Sequence, residues 1–190
     1  MNAEIDISNV ILCTSRLTLR PWRQSDLDDF FEYASVEGVG EMAGWPHHKA
    51  KADTQAILDM FIAGRKTFAI EHEGKVIGSL GVEKYDERLL PNLSDKKGRE
   101  LGFVLSKAYW GRGLTPEAVS EVISWLFGEQ GLDFIVCRHF ADNPQSKRVQ
   151  QKCGFKFTKY SKYKTANNEV KTDCVNLLLK DEYKQKSEEA

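Results

Sequence analysis

The chain is 190 residues long, 41% hydrophobic and 29% charged, with a formal net charge of −1, which argues against a disordered chain and a basic nucleic-acid-binding domain and suits a single domain, 1–190, with a core of about 14–180. No apolar run approaches the roughly 18 residues a membrane helix needs, and Met1 to Ser8 carries acids rather than a basic apolar leader. Four scattered cysteines (Cys13, Cys137, Cys153, Cys174) lack CxxC or metal-ligand spacing, so the expectation is a cytoplasmic protein with reduced thiols and no metal.

Residues 1–14 read as a leading arm with some strand character, and Arg16-Leu17-Thr18-Leu19-Arg20 alternates as a half-buried strand does. Ser25 is placed to N-cap a helix, with Asp26, Asp28 and Asp29 in the first turn favouring its dipole and Leu27, Phe30, Phe31 and Ala34 on one apolar face. Gly38, Gly40, Gly44 and Pro46 make 36–50 mostly loop. Asp53 is set to cap a second helix, in which Ile57, Met60 and Phe61 repeat at helical spacing. Thr67 to His72, a Glu73-Gly74 turn and Lys75 to Glu83 form a hairpin. Lys84 to Gly98 is polar, contains Pro91 and reads as a long surface loop. Arg99 to Ser106 is a strand with Leu101, Phe103 and Leu105 on one side. A glycine turn leads into a helix from about Thr115 to Gln130, which buries Ala118, Val122, Trp125 and Leu126 and ends at Gly131. Leu132 to Phe140 is an apolar strand, and Asn143-Pro144 opens a short helix that Gly154 closes. Phe155 to Tyr163 and Val170 to Leu179 are strands around an Asn167-Asn168 turn, and the last ten residues form a charged tail. This order of elements predicts a mixed α/β domain.

Charge is unevenly spread. Asp26 to Glu41 holds six acids and no Lys or Arg, whereas Arg138 to Lys171 holds nine Lys or Arg and two acids, Asp142 and Glu169. Such runs are usually solvated faces; as functional surfaces, the basic half suits a phosphorylated ligand and the acidic half a cation. Two helix starts fit the first of these. Tyr109-Trp110-Gly111-Arg112-Gly113-Leu114-Thr115 joins a strand to a helix, where glycines admit close approach and unpaired N–H groups attract anions. Asn143-Pro144-Gln145-Ser146, with Lys147, Arg148 and Lys152 beyond, is the second. Each can also be read as a plain turn or an ordinary Asn cap.

Taken together, Glu100-Leu101-Gly102-Phe103-Val104-Leu105, Tyr109-Trp110-Gly111-Arg112-Gly113, Glu117-Ala118 and Asp142-Asn143-Pro144-Gln145-Ser146 through Gly154-Phe155 resemble the Gcn5-related N-acetyltransferase (GNAT) superfamily, and more closely its RimJ/RimL-like branch. The resemblance implies an acyl-CoA N-acyltransferase fold: a mostly antiparallel sheet, flanked by helices, whose middle strands splay around acetyl-CoA. It implies that backbone groups of Phe103, Val104 and Leu105 meet the pantetheine arm and thioester. It also implies that N–H groups of Gly111, Arg112, Gly113, Leu114 and Thr115 hold the pyrophosphate, that Asn143 bonds the pantetheine, and that Ser146 sits near the sulfur. Trp110, Thr115 and Pro116 depart from the family pattern, and Pro116 removes one donor.

The implied activity is transfer of acetyl to a primary amine, a protein N-terminus or a small molecule, by direct attack in a ternary complex. A backbone N–H near Val104 would meet the oxyanion, Ser146 would protonate the thiolate, with Tyr109 behind it, and Glu100 or a water chain would act as base. Glu83, Tyr85, His139 and Asp142 stay open for that last role. Trp45 is placed to pack on an acceptor, a cationic one given the acids of 26–41, whereas His47 and His48 read as loop surface. Exposed C-terminal edge strands leave room for a homodimer. A CoA-binding sensor without turnover and a protein-interaction domain are the alternatives.

Overall fold

The computed structural model describes residues 1–183. Its strands are β1 (Leu12–Cys13), β2 (Thr18–Pro21), β3 (Thr67–His72), β4 (Lys75–Glu83), β5 (Gly98–Leu105), β6 (Phe134–Phe140), β7 (Lys156–Lys164) and β8 (Val170–Leu179). Its helices are α1 (Leu27–Ala34), α2 (Lys51–Gly64), α3 (Leu114–Gly128) and α4 (Pro144–Lys152). The strands form one sheet in the order β1-β2-β3-β4-β5-β6-β8-β7. Only β5 and β6 run parallel; every other neighbouring pair is antiparallel.

Strand alternation divides the apolar residues between the two faces. Phe68, Ile70, Leu80, Val82, Leu101 and Leu105 pack with α3 residues Ala118, Val119, Val122, Ile123 and Leu126 in one core. Val122 and Leu126 are wholly covered, and each such burial stabilises the fold by roughly 1.5–3 kcal/mol. Ala69 and Val76 join a second core with Phe30, Tyr33 and Ala34 of α1 and Leu58 of α2. The stretch after β4 is less of a surface loop than its polarity suggests. Short 3-10 turns at Glu87–Leu89 and Pro91–Leu93 help bring Leu90 and Tyr85 against Phe134, Val136 and Val175.

Two caps fall one or more residues from where the sequence places them. α1 begins after a 3-10 turn, Gln24–Asp26, so Asp26 rather than Ser25 precedes it. α2 begins after Ala50, and Asp53 caps it from inside the first turn, its Oδ2 accepting the N–H groups of Lys49 and Ala50 at 3.0 Å each. The Asn167-Asn168 turn is present, with Asn168 in the left-handed region (φ 64°). Of the charged C-terminal tail, 184–190 lie outside the described residues. Among the described residues no helix is long and apolar enough to cross a membrane.

Candidate active site

β5 and β6 pair only from Gly98–Phe134 to Leu101–Cys137, yet β5 continues to Leu105 and β6 to Phe140. Each strand keeps its outer partner over that length: β5 stays with β4 to Gly78–Leu105, and β6 stays with β8 to Phe140–Asp173. The two therefore diverge, and a cleft of about 1900 Å³ opens between them. It runs from the glycine turn before α3 to the loop between α1 and α2.

The direction of the β5 backbone in this gap is fixed by three hydrogen bonds. The Ser106 N–H donates to Ile77 O on the β4 side (2.8 Å), whereas Leu101 O accepts from Cys137 Sγ (3.1 Å) and Leu105 O from Trp110 Nε1 (2.8 Å) on the other. By alternation, Leu101, Phe103 and Leu105 aim their backbone groups away from β4 and into the gap, while Val104 aims its own at β4. The backbone N–H groups near Val104 that face the gap are thus those of Phe103 and Leu105. Val104 lines the cleft and packs against the second core.

At one end of the cleft Gly111 and Gly113 turn the chain with φ of 77° and 76°, a conformation that favours glycine. No acceptor among the described residues takes the N–H groups of Gly111, Arg112, Gly113, Leu114 or Thr115; the first one returned to the helix is Glu117 N, to Gly113 O (3.3 Å). Glu117 does not blunt this positive end, because Arg16 binds its carboxylate at 2.5 Å. The Arg112 side chain stacks over the Tyr109 ring at 5.1 Å, and its residue is absent from the cleft lining, where the cations at this end are instead Arg148 and Lys152 of α4. Their i, i+4 spacing on one helix face was the available sequence signal.

Asn143 caps α4, its Oδ1 accepting Ser146 N–H (3.0 Å), and its Nδ2 donates to Met42 O (3.3 Å), which ties the helix to the loop over the cleft. Ser146 is half-buried, and its Oγ accepts from Gln150 Nε2 (3.1 Å), which leaves the hydroxyl hydrogen free to donate. Gln150 in turn accepts from Asn176 Nδ2 (2.7 Å) and lies 3.3 Å from His139 Nδ1. Burial lowers the basicity of His139.

The other end of the cleft is floored by Glu100, Arg138 and Asp173. Arg138 Nε donates to Glu100 Oε1 at 3.0 Å, its Nη1 lies 3.2 Å from Asp173 Oδ2, and its guanidinium sits 5.1 Å over the Tyr163 ring. Burial raises the Glu100 carboxyl above its ordinary value, against the opposing pull of Arg138. Among the other base candidates, Glu83 and His139 line the cleft, whereas Tyr85 and Asp142 are absent from it. Glu83 is already paired with Lys66. Arg138 and Asp173 were not singled out by sequence reasoning: alternation gives the face of a residue but not which strand lies next to it.

Two expectations at this end need correcting. His48 is buried rather than loop surface: its Nδ1 lies 2.8 Å from Thr54 Oγ1, and Trp45 and Phe30 pack on its ring at 5.1 and 5.6 Å. The acids of 26–41 are largely spent within the chain. Asp26 pairs with Arg20 (2.8 Å), Asp28 with Lys51 (2.6 Å) and Glu32 with Lys75 (2.7 Å), while Asp29 accepts Val76 N–H (2.8 Å). Glu41 pairs with His47 (2.7 Å); although burial opposes ionisation, hydrogen bonds from the His47 side chain and from the N–H groups of His47 and Gly38 bring its carboxyl down to about 2. Among the described residues no group of three or more His, Cys, Asp or Glu side chains is placed to hold a metal ion.

A family model described as an acetyltransferase (GNAT) domain matches residues 16–156. The chain belongs to the GNAT acetyltransferase family. It is 29% identical over 152 residues to the uncharacterised N-acetyltransferase YoaA of Bacillus subtilis (strain 168), a match that covers 76% of this chain and 82% of that one. The fold is similar to that of the microcin C7 self-immunity acetyltransferase MccE, solved with acetyl-CoA and AMP (TM-score 0.73, 16% identity, 87% of this chain and 93% of that one). It is also similar to that of a spermidine N-acetyltransferase from Vibrio cholerae, solved with CoA and spermine (TM-score 0.70, 16% identity, 90% and 99%). This GNAT protein is an N-acetyltransferase.

Proposed function

We propose that the enzyme takes acetyl-CoA as its cosubstrate in the gap between β5 and β6 and transfers the acetyl group directly to a primary amine that enters from the loop between α1 and α2. The observation that carries this reading is the end of the β5–β6 ladder at Leu101–Cys137, beside a helix start whose N–H groups have no partner among the described residues. The residues present fit the cosubstrate. Free N–H groups from Gly111 to Thr115, with Arg148 and Lys152 nearby, suit a pyrophosphate. The Phe103 N–H and C=O and the Leu105 N–H, which face the gap, suit an amide-bearing arm, Leu105 O being taken by Trp110 Nε1. That MccE is solved with acetyl-CoA supports the same assignment.

Acetyl-CoA supplies an activated acyl group as a thioester. Phe103 or Leu105 N–H would donate to the acyl oxygen as negative charge builds on it. Glu100, its proton affinity raised by burial, would take a proton from the bound ammonium and so free the lone pair that attacks the acyl carbon; the second proton would leave the nitrogen to solvent once the N–C bond has formed. Ser146, with its hydroxyl hydrogen free, would give a proton to the sulfur as the C–S bond breaks and recover one from solvent. Val104, Trp45 and Tyr163 would form the apolar sides of the acceptor end. The acceptor class is a cationic amine, on the strength of two carboxylates and one guanidinium at the cleft floor, and the spermine complex of the Vibrio cholerae neighbour is consistent with it. The run from Glu100 to Leu105 also supports a RimJ/RimL-like branch, so protein N-termini belong in the acceptor screen beside polyamines. A homodimer, if one forms, has its apolar surface on the edge strand β7, where Phe157 and Tyr160 are exposed.

Calorimetric titration of acetyl-CoA tests the cosubstrate first. Submillimolar binding is expected, weakened about tenfold by Gly113→Ala, where a side chain strains a left-handed residue by roughly 1–2 kcal/mol. A mass-spectrometric screen of polyamines, N-terminal peptides and neutral amines then identifies the acceptor. Absence of binding at millimolar acetyl-CoA would sink the proposal; turnover confined to neutral or anionic amines would sink its acceptor half.

A further inference from the structure

The floor of the cleft contains a carboxylate that takes no part in the proton transfers proposed above. Asp173 is 1% exposed, and neither of its oxygens has a hydrogen-bond donor among the described residues. Its neighbour of opposite charge is Arg138, 3.2 Å away. A buried carboxylate held so sparsely is unfavourable for folding alone, which makes its position on the cleft informative.

Register explains how the three groups meet. Glu100 stands opposite Val136 across the β5–β6 ladder, two residues before Arg138 on the same face of β6. Across the β6–β8 ladder Asp173 stands opposite Phe140, two residues after Arg138 and again on that face. Arg138 is thus held from β5 by Glu100, from β8 by Asp173, and against the Tyr163 ring of β7. Of these partners, only Glu100 changes charge during the proposed transfer.

We propose that Asp173 is a positioning residue, which anchors Arg138 from the far side so that the guanidinium keeps its place and a counter-charge while Glu100 takes up the acceptor's proton. The inference rests on Glu100 as the base. With Glu100 as sole partner, each protonation would leave a half-buried guanidinium unpaired, and the ion pair itself would resist the proton. Asp173 removes both obstacles. It keeps Arg138 paired, and its negative charge offsets part of the pull of Arg138 on Glu100; after burial itself, Asp173 and Glu83 are the neighbours that raise the Glu100 carboxyl. The other titratable groups that act on or feel Glu100 are Glu83 on β4, which Lys66 binds, and Cys137 on β6, whose thiol is pushed up first by burial and then by the Glu100 charge.

The test is a carbon-13 NMR titration of the Glu100 side-chain carboxyl in the whole chain, beside the pH profile of kcat. In Asp173→Asn, which keeps the shape and loses the charge, Glu100 is expected to titrate about one pH unit lower, and the acid limb of kcat to move with it. Asp173→Ser serves the same purpose if the amide does not pack. A purely structural Asp173 would lower stability and leave the Glu100 titration where it was, and that result overturns the proposal. Glu100→Gln separates the two ideas. An acid limb that survives this change refutes Glu100 as base, while the NMR titration still reports whether Asp173 acts on Glu100.

Discussion

Asp26 separates two accounts of how the wall of the acceptor end is held. As an acid in the first turn of a helix it would contribute about 0.3–1 kcal/mol through the dipole. The structure places it differently. It is 5% exposed, binds Arg20 through two bonds of 2.8 and 2.9 Å, and accepts Arg23 N–H at 2.8 Å. Arg20 is equally covered, and it also holds Glu71 (2.6 Å) and Pro21 O (3.0 Å). Asp26→Asn preserves the shape but leaves a buried guanidinium with one half-buried carboxylate. Breaking such a pair typically costs about 3–5 kcal/mol, and because Glu71 remains, the lower figure is expected. In a chain of this size that corresponds to a fall of about 6–12 °C in Tm. Urea and thermal unfolding at pH 7 measure it, with Asp28→Asn as the control. Asp28 is in the same turn, its side chain is 79% exposed, and its pair with Lys51 should contribute under about 1 kcal/mol. Because Arg20 and Asp26 join β2 to the start of α1, acceptor KM should rise more than acetyl-CoA KM. Equal, small losses for both variants would refute the ion-pair account and return Asp26 to the dipole.

Two more expectations follow from the cleft. A side chain at Gly40 would collide with the Trp45 ring, so Gly40→Ala should displace that ring, destabilise by roughly 1–3 kcal/mol and raise acceptor KM; unchanged near-ultraviolet dichroism and KM would show that Trp45 takes no part. Glu100→Gln should stabilise the protein at alkaline pH. The folded-state value is raised, so the stability tied to this group is complete below the unfolded value of about 4.3 and is lost as pH rises through the folded value. Urea midpoints at pH 4 and pH 8 should therefore shift in favour of the variant at the higher pH, and a pH-independent difference would count against the burial argument.

What the sequence reveals and what it hides divide along physical lines. α3 and the β3–β4 hairpin are legible because periodicity and a Glu73-Gly74 turn are local properties. The caps of α1 and α2 are displaced because the decisive partners, Arg20 for Asp26 and the N–H groups of Lys49 and Ala50 for Asp53, are matters of geometry. The glycine turn and the Asn143 helix are legible as anion-binding candidates for the same local reasons. The divergence of β5 and β6 is not: it arises because β4 and β8 hold their partners past the point where the central ladder ends, a competition between strands distant in sequence. The Arg112 side chain is a converse case. Its place in the turn offers a charged donor, and the Tyr109 ring within reach, over which its guanidinium lies, is not visible in the spacing.

The acceptor's charge illustrates why composition alone misleads. The six acids of 26–41 suggest a cation site, but five of them are engaged by Arg20, Lys51, Val76 N–H, Lys75 and His47. The cleft floor instead holds Glu100, Arg138 and Asp173, whose charges sum to minus one when both carboxylates are ionised and to zero when Glu100 is protonated. On the proposed roles, the state of Glu100 that attracts a cationic amine is the same state that can accept its proton. Capture and deprotonation of the acceptor are then governed by one ionisation, and acceptor KM should fall with rising pH over the range in which kcat rises. A KM that ignores that range would mean that recognition of the amine lies elsewhere in the cleft, away from Glu100.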